Sequence, residues 1–407
     1  MTYRPVCGFN ACLRGYYIPH IQYIFSMDLV NELKERGLVE HNSADLEKIF
    51  GEKRTVYIGT DPTADSLHVG HLSWVVLLKR LADAGHKVIL LVGGGTGLIG
   101  DPKEKGERPL LTEEVVDVNA EALEKQLSSL IGQRAEFVMV NNSKWLRSVS
   151  LLEFLRDTGK YFTVNELIKR DLIRRRLGNP DDSISYTEFT YSLLQAYDYR
   201  ELNLRYGCDL QIGGSDQWTN ILSGVDLIRK REGKEVFALS TPLITDAAGR
   251  KFGKSEGNAV WLDAEKTTPY QFHQFWLNVE DEKVIDYLKI YTLLSLEEIK
   301  AIEDEFNEDK SGRLAQKRLA DEITRFVHGE EVVIETPAYR ASVDDNIVDV
   351  LIATGLASSK REAREFIDSG AVTIDGERVT DTTMMAKDGL LQRGKRKMNS
   401  VEVRIDN

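Results

Sequence analysis

Between Thr55 and Asp101 the chain alternates strand, helix and strand within about 45 residues, and this order limits the possible folds more than any other feature. The run TVYIGT (55–60) reads as a buried strand, and HKVILLV (86–92) reads as a second one. Between them, HVGHLSWVVLLKRLADAG (68–85) reads as a helix that stops near Gly85. Two strands joined through a helix pair in parallel, because a tight turn can only reverse the chain. Later strand candidates are EFVMVNN (136–142) and FALSTPLIT (237–245), separated by helical stretches such as EFTYSLLQAYDYREL (188–202). The expected class is α/β on a parallel sheet.

Further along, the pattern changes. From about Pro269 to Gly329 the sequence is wholly helical in period and rich in charge. Residues 331–345 contain Pro337 and the pair Asp344–Asp345, show no clear period, and read as a linker. The stretch 346–407 then reads as a small α+β module. Leu351, Leu356, Ala363, Phe366 and Ile367 give it an apolar face, Ser358 or Ser359 caps its second helix, and Gly370 ends that helix. AVTI-DG-ERVT is a hairpin whose Asp-Gly turn tolerates positive φ at both positions. These signals divide the chain into 27–268, 269–330, a linker at 331–345, and 346–407.

A chain of 407 residues exceeds one ordinary core, which agrees with several domains. Its 42% hydrophobic and 29% charged residues exclude wholesale disorder. No apolar run approaches the roughly eighteen residues of a membrane-spanning helix. Three cysteines, Cys7, Cys12 and Cys208, are too few for a disulfide framework, so the expected location is a reducing, cytoplasmic one. A net charge of −12 argues against a generally basic nucleic-acid binder but permits a local basic patch. Residues 1–26 carry Arg4 and Arg14 without any acid and lack a secretory pattern. They read as an extension, with Met27 opening the first domain.

Two motifs carry chemistry. In YIGTDPTADSLHVGH, Tyr57 to His71, a strand ends at Gly59 and a helix starts close to His68. A helix N-terminus favours an anion, and His68 and His71 share one face of its first turn. In DAAGRKFGKSEGNAVW, Asp246 to Trp261, three glycines loosen a loop in which Lys251 and Lys254 can reach one polyanion from two sides. Neither motif is a GxxxxGK[ST] loop, and GGGTGLIG follows the second strand, not the first, so P-loop and nicotinamide chemistry are disfavoured. No metal-ligand set accompanies the histidines. Taken singly, each motif also fits a local cap or a solvated loop.

Their order and co-occurrence resemble the two signatures of the class I aminoacyl-tRNA synthetases. YIGTDPTADSLHVGHL, LVGGGTGLIGDP, TEFTYSLLQAYDY and LQIGGSDQWTNI resemble, more narrowly, the tyrosyl enzymes of bacterial and organellar type. The resemblance runs from about Met27 to Asn407, and the terminal module resembles an RNA-binding domain of αL type found in a ribosomal protein and in some pseudouridine synthases. It implies a Rossmann-like catalytic domain, then an all-helical domain, then the RNA-binding one. It also implies that L-tyrosine and MgATP give tyrosyl-adenylate and pyrophosphate, after which tRNA(Tyr) takes the tyrosyl group. ATP is then a substrate accompanied by Mg2+, no cofactor is tightly bound, and the enzyme is a homodimer away from membranes.

The resemblance assigns residues one by one. Thr63, His68 and His71, with Lys251, Lys254 and Ser255, match positions that meet the phosphates and ribose. Gly59, Asp61, Gly213 and Asp216 match others around the nucleotide, and Lys105 and Arg108 are further cationic candidates. Asp101, Tyr191 and Gln195 match the ammonium site of tyrosine, Tyr57 and Asp198 its phenol site, and Gln211 and Gln217 line the same substrate. Tyr191, Gln195 and Asp198 also fall at i, i+4 and i+7, on one helical face. Residues 341–407 hold ten Lys/Arg against twelve Asp/Glu, so tRNA contacts rest on a local face built from Lys360, Arg361, Arg364 and the Arg393–Lys397 cluster, including Lys395 and Arg396. Competing expectations are another nucleotidyltransferase, a tryptophan-specific relative and an RNA chaperone.

Overall fold

The computed structural model describes residues 28–103, 110–131, 137–249, 254–255, 258–332, 338–357, 359–394 and 400–406. Its centre is a six-stranded sheet made of β1 (His41–Asn42), β2 (Thr55–Thr60), β3 (Lys87–Val92), β4 (Phe137–Asn141), β5 (Leu210–Gly214) and β6 (Phe237–Thr241). The spatial order is β1-β6-β5-β2-β3-β4. All pairings from β6 to β4 are parallel, and β1 joins the β6 edge antiparallel. The order reverses between β2 and β5, so crossovers leave that point in opposite directions and open a crevice at the strands' carboxyl ends.

Local chemistry fixes the helices around this crevice. The helix Val69–Asp83 buries Leu72, Val75, Val76 and Leu78 and turns out at Gly85, whose φ is +85°. The helix Tyr186–Tyr206 starts with a reciprocal Ser185/Glu188 capping box and ends at Gly207 in the left-handed region. Gly93, in the loop after β3, leaves room that no other residue would: an added Cβ would lie 2.1 Å from Asp61 Oδ1.

The helices Pro269–Leu277, Val284–Tyr291, Leu296–Glu308 and Leu314–His328 follow. Expected as a separate helical domain, they share a continuous apolar core with the sheet, in which Leu72 and Val88 belong to the same buried cluster as Trp276, Tyr287 and Ile323. A buried polar seam reinforces the join. Arg36 Nη1 and Nη2 donate to the carbonyls of Lys289 and Leu294 at 2.9 and 2.6 Å, and Arg36 Nε donates to Glu32 at 2.9 Å. Arg80, on the Val69–Asp83 helix, also pairs with Glu32 and donates to the Thr292 carbonyl.

The terminal module has its own core and its own sheet: β9 (Ala338–Ser342), β10 (Val372–Ile374), β11 (Glu377–Arg378), β12 (Gly389–Arg393) and β13 (Ser400–Asp406), in the order β11-β10-β12-β13-β9. The Asp-Gly turn forms as its chemistry requires, with φ of +50° at Asp375 and +85° at Gly376. The linker expectation for 331–345 is corrected here: residues 338–342 are a strand, paired in parallel with β13. Only Ala341 is fully buried along that strand, with Tyr339 half-buried against the same core, so the alternation spans just two side chains and is too short to read. Residues 1–26, 333–337 and Ser358 lie outside the described residues; Ser359 caps the Lys360–Asp368 helix.

Replacing Arg36 by Met strands two buried carbonyls. The expected loss is about 2–4 kcal/mol of unfolding free energy, read from urea denaturation, and a change below about 0.5 kcal/mol would contradict the seam's role.

Candidate functional site

A cavity of about 320 Å3 opens where β2 and β5 end. It is lined by Tyr57, Gly59 and Asp61 from β2 and its loop, and by Gln211, Gly213, Asp216 and Gln217 from β5 and the turn after it. Thr63, His68, His71, Asp101, Tyr191, Gln195 and Asp198 complete the sequence-derived set, so one cavity gathers fourteen expected positions.

Its inner end is polar and buried. Tyr57 and Gln211 are 1% and 2% exposed, and neither the Tyr57 hydroxyl nor Gln211 Oε1 has a hydrogen-bond partner among the described residues. Burial, then the nearby Asp198 charge, holds the Tyr57 phenol well above its ordinary value. Asp198 is buried too, and its two oxygens accept from Trp145 Nε1 at 2.7 Å and Asn142 Nδ2 at 2.8 Å. Burial raises its carboxyl to about 8, against the pull of the Asn142 and Trp145 donors.

Toward the cavity mouth lies a second acidic group. Asp101 accepts from Gln217 Nε2 at 2.6 Å and from Asn220 Nδ2 at 3.1 Å, and the same Asn220 nitrogen contacts Gln217 Oε1 at 3.2 Å. Tyr191 donates its hydroxyl to Asp61 Oδ2 at 2.8 Å, while Asp61 Oδ1 accepts from Thr96 Oγ1 at 2.7 Å. Thr96 Oγ1 in turn accepts from Asn142 Nδ2 at 2.9 Å, which links this end to Asp198 through one hydrogen-bonded chain.

The histidines act as a cap and as cavity wall at once. His68 Nδ1 accepts the Gly70 amide at 3.0 Å, and His71 Nδ1 accepts the His68 amide at 3.2 Å, a reciprocal capping box. With Nδ1 accepting, each neutral ring carries its proton on Nε2 and donates from there. The segment after the glycine-spaced lysines is bonded directly to this helix start. Val69 N donates to Val260 O at 2.9 Å, Leu262 N donates to Leu67 O at 2.8 Å, and Lys266 pairs with Asp65 at 2.8 Å. Lys254–Ser255 (β7) pairs with Asn258–Ala259 (β8) one residue before that seam. The two signatures therefore lie on the same side of the molecule. Lys251, Lys105 and Arg108 lie outside the described residues.

Several residues at the site were not legible beforehand. Asn142 and Trp145 hold Asp198 from 56 and 53 positions away, Thr96 bridges Asp61 to Asn142, and Asn220 orients Asp101. A faint signal existed for the first two, since polar residues just past a parallel strand face the crevice. In the terminal module Lys360 pairs with Asp349 and Arg361 with Glu365, while Arg361 and Arg364 are exposed on one helix. Arg393 lies 4.9 Å over the Phe366 ring of that helix, and Lys395 and Arg396 fall outside the described residues.

Residues 51–338 match the family described as tRNA synthetases class I (W and Y), and residues 330–400 match the tyrosine–tRNA ligase SYY-like C-terminal domain. The chain belongs to the tyrosine branch of the class I tRNA synthetases. Tyrosine–tRNA ligase 1 of Vibrio parahaemolyticus is 44% identical over 408 residues, covering 90% of this synthetase and 97% of the relative. The ligase of Streptococcus thermophilus is 45% identical over 415 residues, covering 91% and 99%. Among solved structures, a C-terminally truncated mitochondrial tyrosyl-tRNA synthetase of Aspergillus nidulans superposes with a TM-score of 0.68 at 31% identity, over 77% of this synthetase and 95% of that chain. A tryptophanyl-tRNA synthetase of Encephalitozoon cuniculi shares the fold at 15% identity and a TM-score of 0.57, over 75% and 89%.

The raised Asp198 carboxyl has a definite sign. A group held at about 8 in the folded synthetase and near 3.8 when unfolded favours folding fully below pH 3.8, and that contribution is lost as pH rises to about 8. Asp198→Asn stays neutral throughout. Its melting temperature should therefore gain on the parent's between roughly pH 5 and pH 8 without substrates, and parallel pH profiles would contradict the buried proton.

Proposed function

We propose that this synthetase activates L-tyrosine with ATP, releasing pyrophosphate, and then transfers the tyrosyl group to the 3′ end of tRNA(Tyr). The observation that carries the choice of tyrosine is the inner end of the cavity. The Tyr57 hydroxyl and the Asp198 carboxyl stand together there, the first without a hydrogen-bond partner among the described residues and the second already accepting from Trp145 and Asn142 with lone pairs to spare. A substrate phenol satisfies both, donating to Asp198 and accepting from Tyr57. An indole N–H only donates, so a tryptophan side chain leaves Tyr57 stranded at a cost.

In the first step a carboxylate oxygen of tyrosine attacks the α-phosphorus, and the bond to the bridging oxygen of pyrophosphate breaks. The nucleophile is already ionised at neutral pH, so no general base is needed. Asp101, Tyr191 and Gln195 receive the ammonium, whose three donors suit a carboxylate and two oxygen acceptors. His68 and His71, at a helix N-terminus with Nε2 as donor, favour the charge moving onto the departing phosphates, with Thr63 alongside. Lys251, Lys254 and Ser255 close over the same phosphates. Gly59, Asp61 and Gly213 leave space for the nucleotide, and Asp216 accepts from the ribose hydroxyls. Mg2+ enters on the triphosphate, held by phosphate oxygens and water.

The working division is catalysis in 27–268, support in 269–330 and RNA binding in 346–407, where Arg393 beside the Lys360–Asp368 helix extends the face of Lys360, Arg361 and Arg364. Leu151, Leu152, Val164, Leu177 and Tyr186 are each more than half exposed within one stretch of chain, an apolar surface that favours a homodimer. No helix among the described residues is long and apolar enough to cross a membrane, and the bacterial relatives favour a cytoplasmic location.

Pyrophosphate exchange measured with each of the twenty amino acids should respond to tyrosine alone; exchange with tryptophan instead would overturn the assignment. Asp198→Ala should abolish tyrosine use while leaving ATP binding within about twofold, and Lys254→Ala should lower the rate of adenylate formation with tyrosine affinity little changed. Leu152→Asp should convert the dimer to a monomer in light scattering, and an unchanged mass would remove this surface from the interface.

A further inference from the structure

Trp145 lines a second cavity and is hydrogen-bonded to Asp198, a residue in the wall of the first. Its Nε1 donates to Asp198 at 2.7 Å. The second cavity is polar, has a volume of about 360 Å3, and is lined also by Glu153, Asp157, Arg200, Glu201 and Arg205. The Arg205 guanidinium lies over the Trp145 ring, 5.6 Å from its centroid. It does not arrive there loosely. Arg205 Nε donates to Glu201 Oε2 at 2.9 Å, the other Glu201 oxygen accepts from Arg200 Nη1 at 3.2 Å, and Arg200 Nε donates to Glu232 at 2.6 Å. Glu201 and Trp145 are buried, and Arg205 is about half exposed at the cavity rim.

A cation on the face of an indole draws electron density from the ring and makes its N–H a stronger donor. Trp145 spends that donor on the carboxylate that meets the substrate hydroxyl. We infer that Arg205 is a positioning residue for tyrosine recognition, acting through the Trp145 indole to hold the Asp198 carboxylate as an acceptor for the phenol. The inference rests on the reading of Asp198 as the phenol site and names the outer layer that supports it. The groups facing Asp198 are Asn142 and Trp145 after β4, Tyr57 on β2, Asp61 in the following loop, and Tyr191 and Glu201 on its own helix. Asp61 and Glu201 both oppose a negative Asp198, so a cation transmitted through Trp145 works against them.

The test uses the full-length synthetase and tyrosine-dependent pyrophosphate exchange. Arg205→Met should raise the KM for tyrosine about two- to fivefold, the size of a partly exposed cation–π contact, with kcat and the KM for ATP unchanged. Arg205→Lys keeps a cation over the ring and should restore the tyrosine KM. Arg205→Gln keeps a polar contact to Glu201 without the charge, and it should behave like Met; it also serves if the Met variant is insoluble. A tyrosine KM equal to the parent's in both neutral variants overturns the inference and leaves the ligase reading standing. So does an equal loss in tyrosine KM, ATP KM and kcat that Lys fails to restore, which marks general loosening. A parent chain without tyrosine-dependent exchange overturns both.

Discussion

Where β2 pairs with β5, the chain has no choice but to leave a gap. The connections on either side depart in opposite directions, so nothing covers the ends of those two strands. Every group that matters to the chemistry is reached from that gap. Tyr57 projects from β2 and Gln211 from β5, the loop after β3 brings Thr96 and Asp101, and the helix that follows β2 presents its first turn. Parallel pairing dictates this convergence before any side chain is chosen, because all five carboxyl ends point the same way.

Within the crevice the two ends are built on different physics. The inner end is buried, with a carboxyl pushed upward by burial and, beside it, a phenol that has no hydrogen-bond partner among the described residues. Both groups cost free energy to bury. The outer end uses backbone polarity instead: a helix start, two rings locked by mutual capping, and a loop stitched to that helix through Val260 and Leu262. The two ends are joined by the hydrogen-bonded chain from Tyr191 through Asp61, Thr96 and Asn142 to Asp198.

The sequence made β2, β3, β4 and β6 legible because they depend on local signals, whereas β5 is legible only as part of the LQIGGSDQWTNI motif and the cavity positions come from the resemblance. TVYIGT and HKVILLV are continuous apolar runs, Gly85 and Gly207 stop helices by accepting positive φ, and Asp375–Gly376 forms the turn its residues favour. What escaped depends on partners far away. The strand β1 consists of two exposed residues held by backbone bonds to β6, and β9 turns only Tyr339 and Ala341 inward, too short an alternation to stand out. The Arg80 contact to Thr292 spans 212 residues, and the donors to Asp198 lie more than fifty positions upstream, where only folding brings them within reach.

The pairing of β9 with β13 also has a mechanical side. The module's first strand and its last run in parallel over five residue pairs, from Ala338 opposite Glu402 to Ser342 opposite Asp406. Tension between the body of the protein and the carboxyl terminus pulls these strands along their length in opposite senses, from opposite ends. That geometry loads all five pairs together in shear, whereas a hairpin under the same tension would unzip one pair at a time. Sliding one strand past the other therefore requires all five pairs to give way at once.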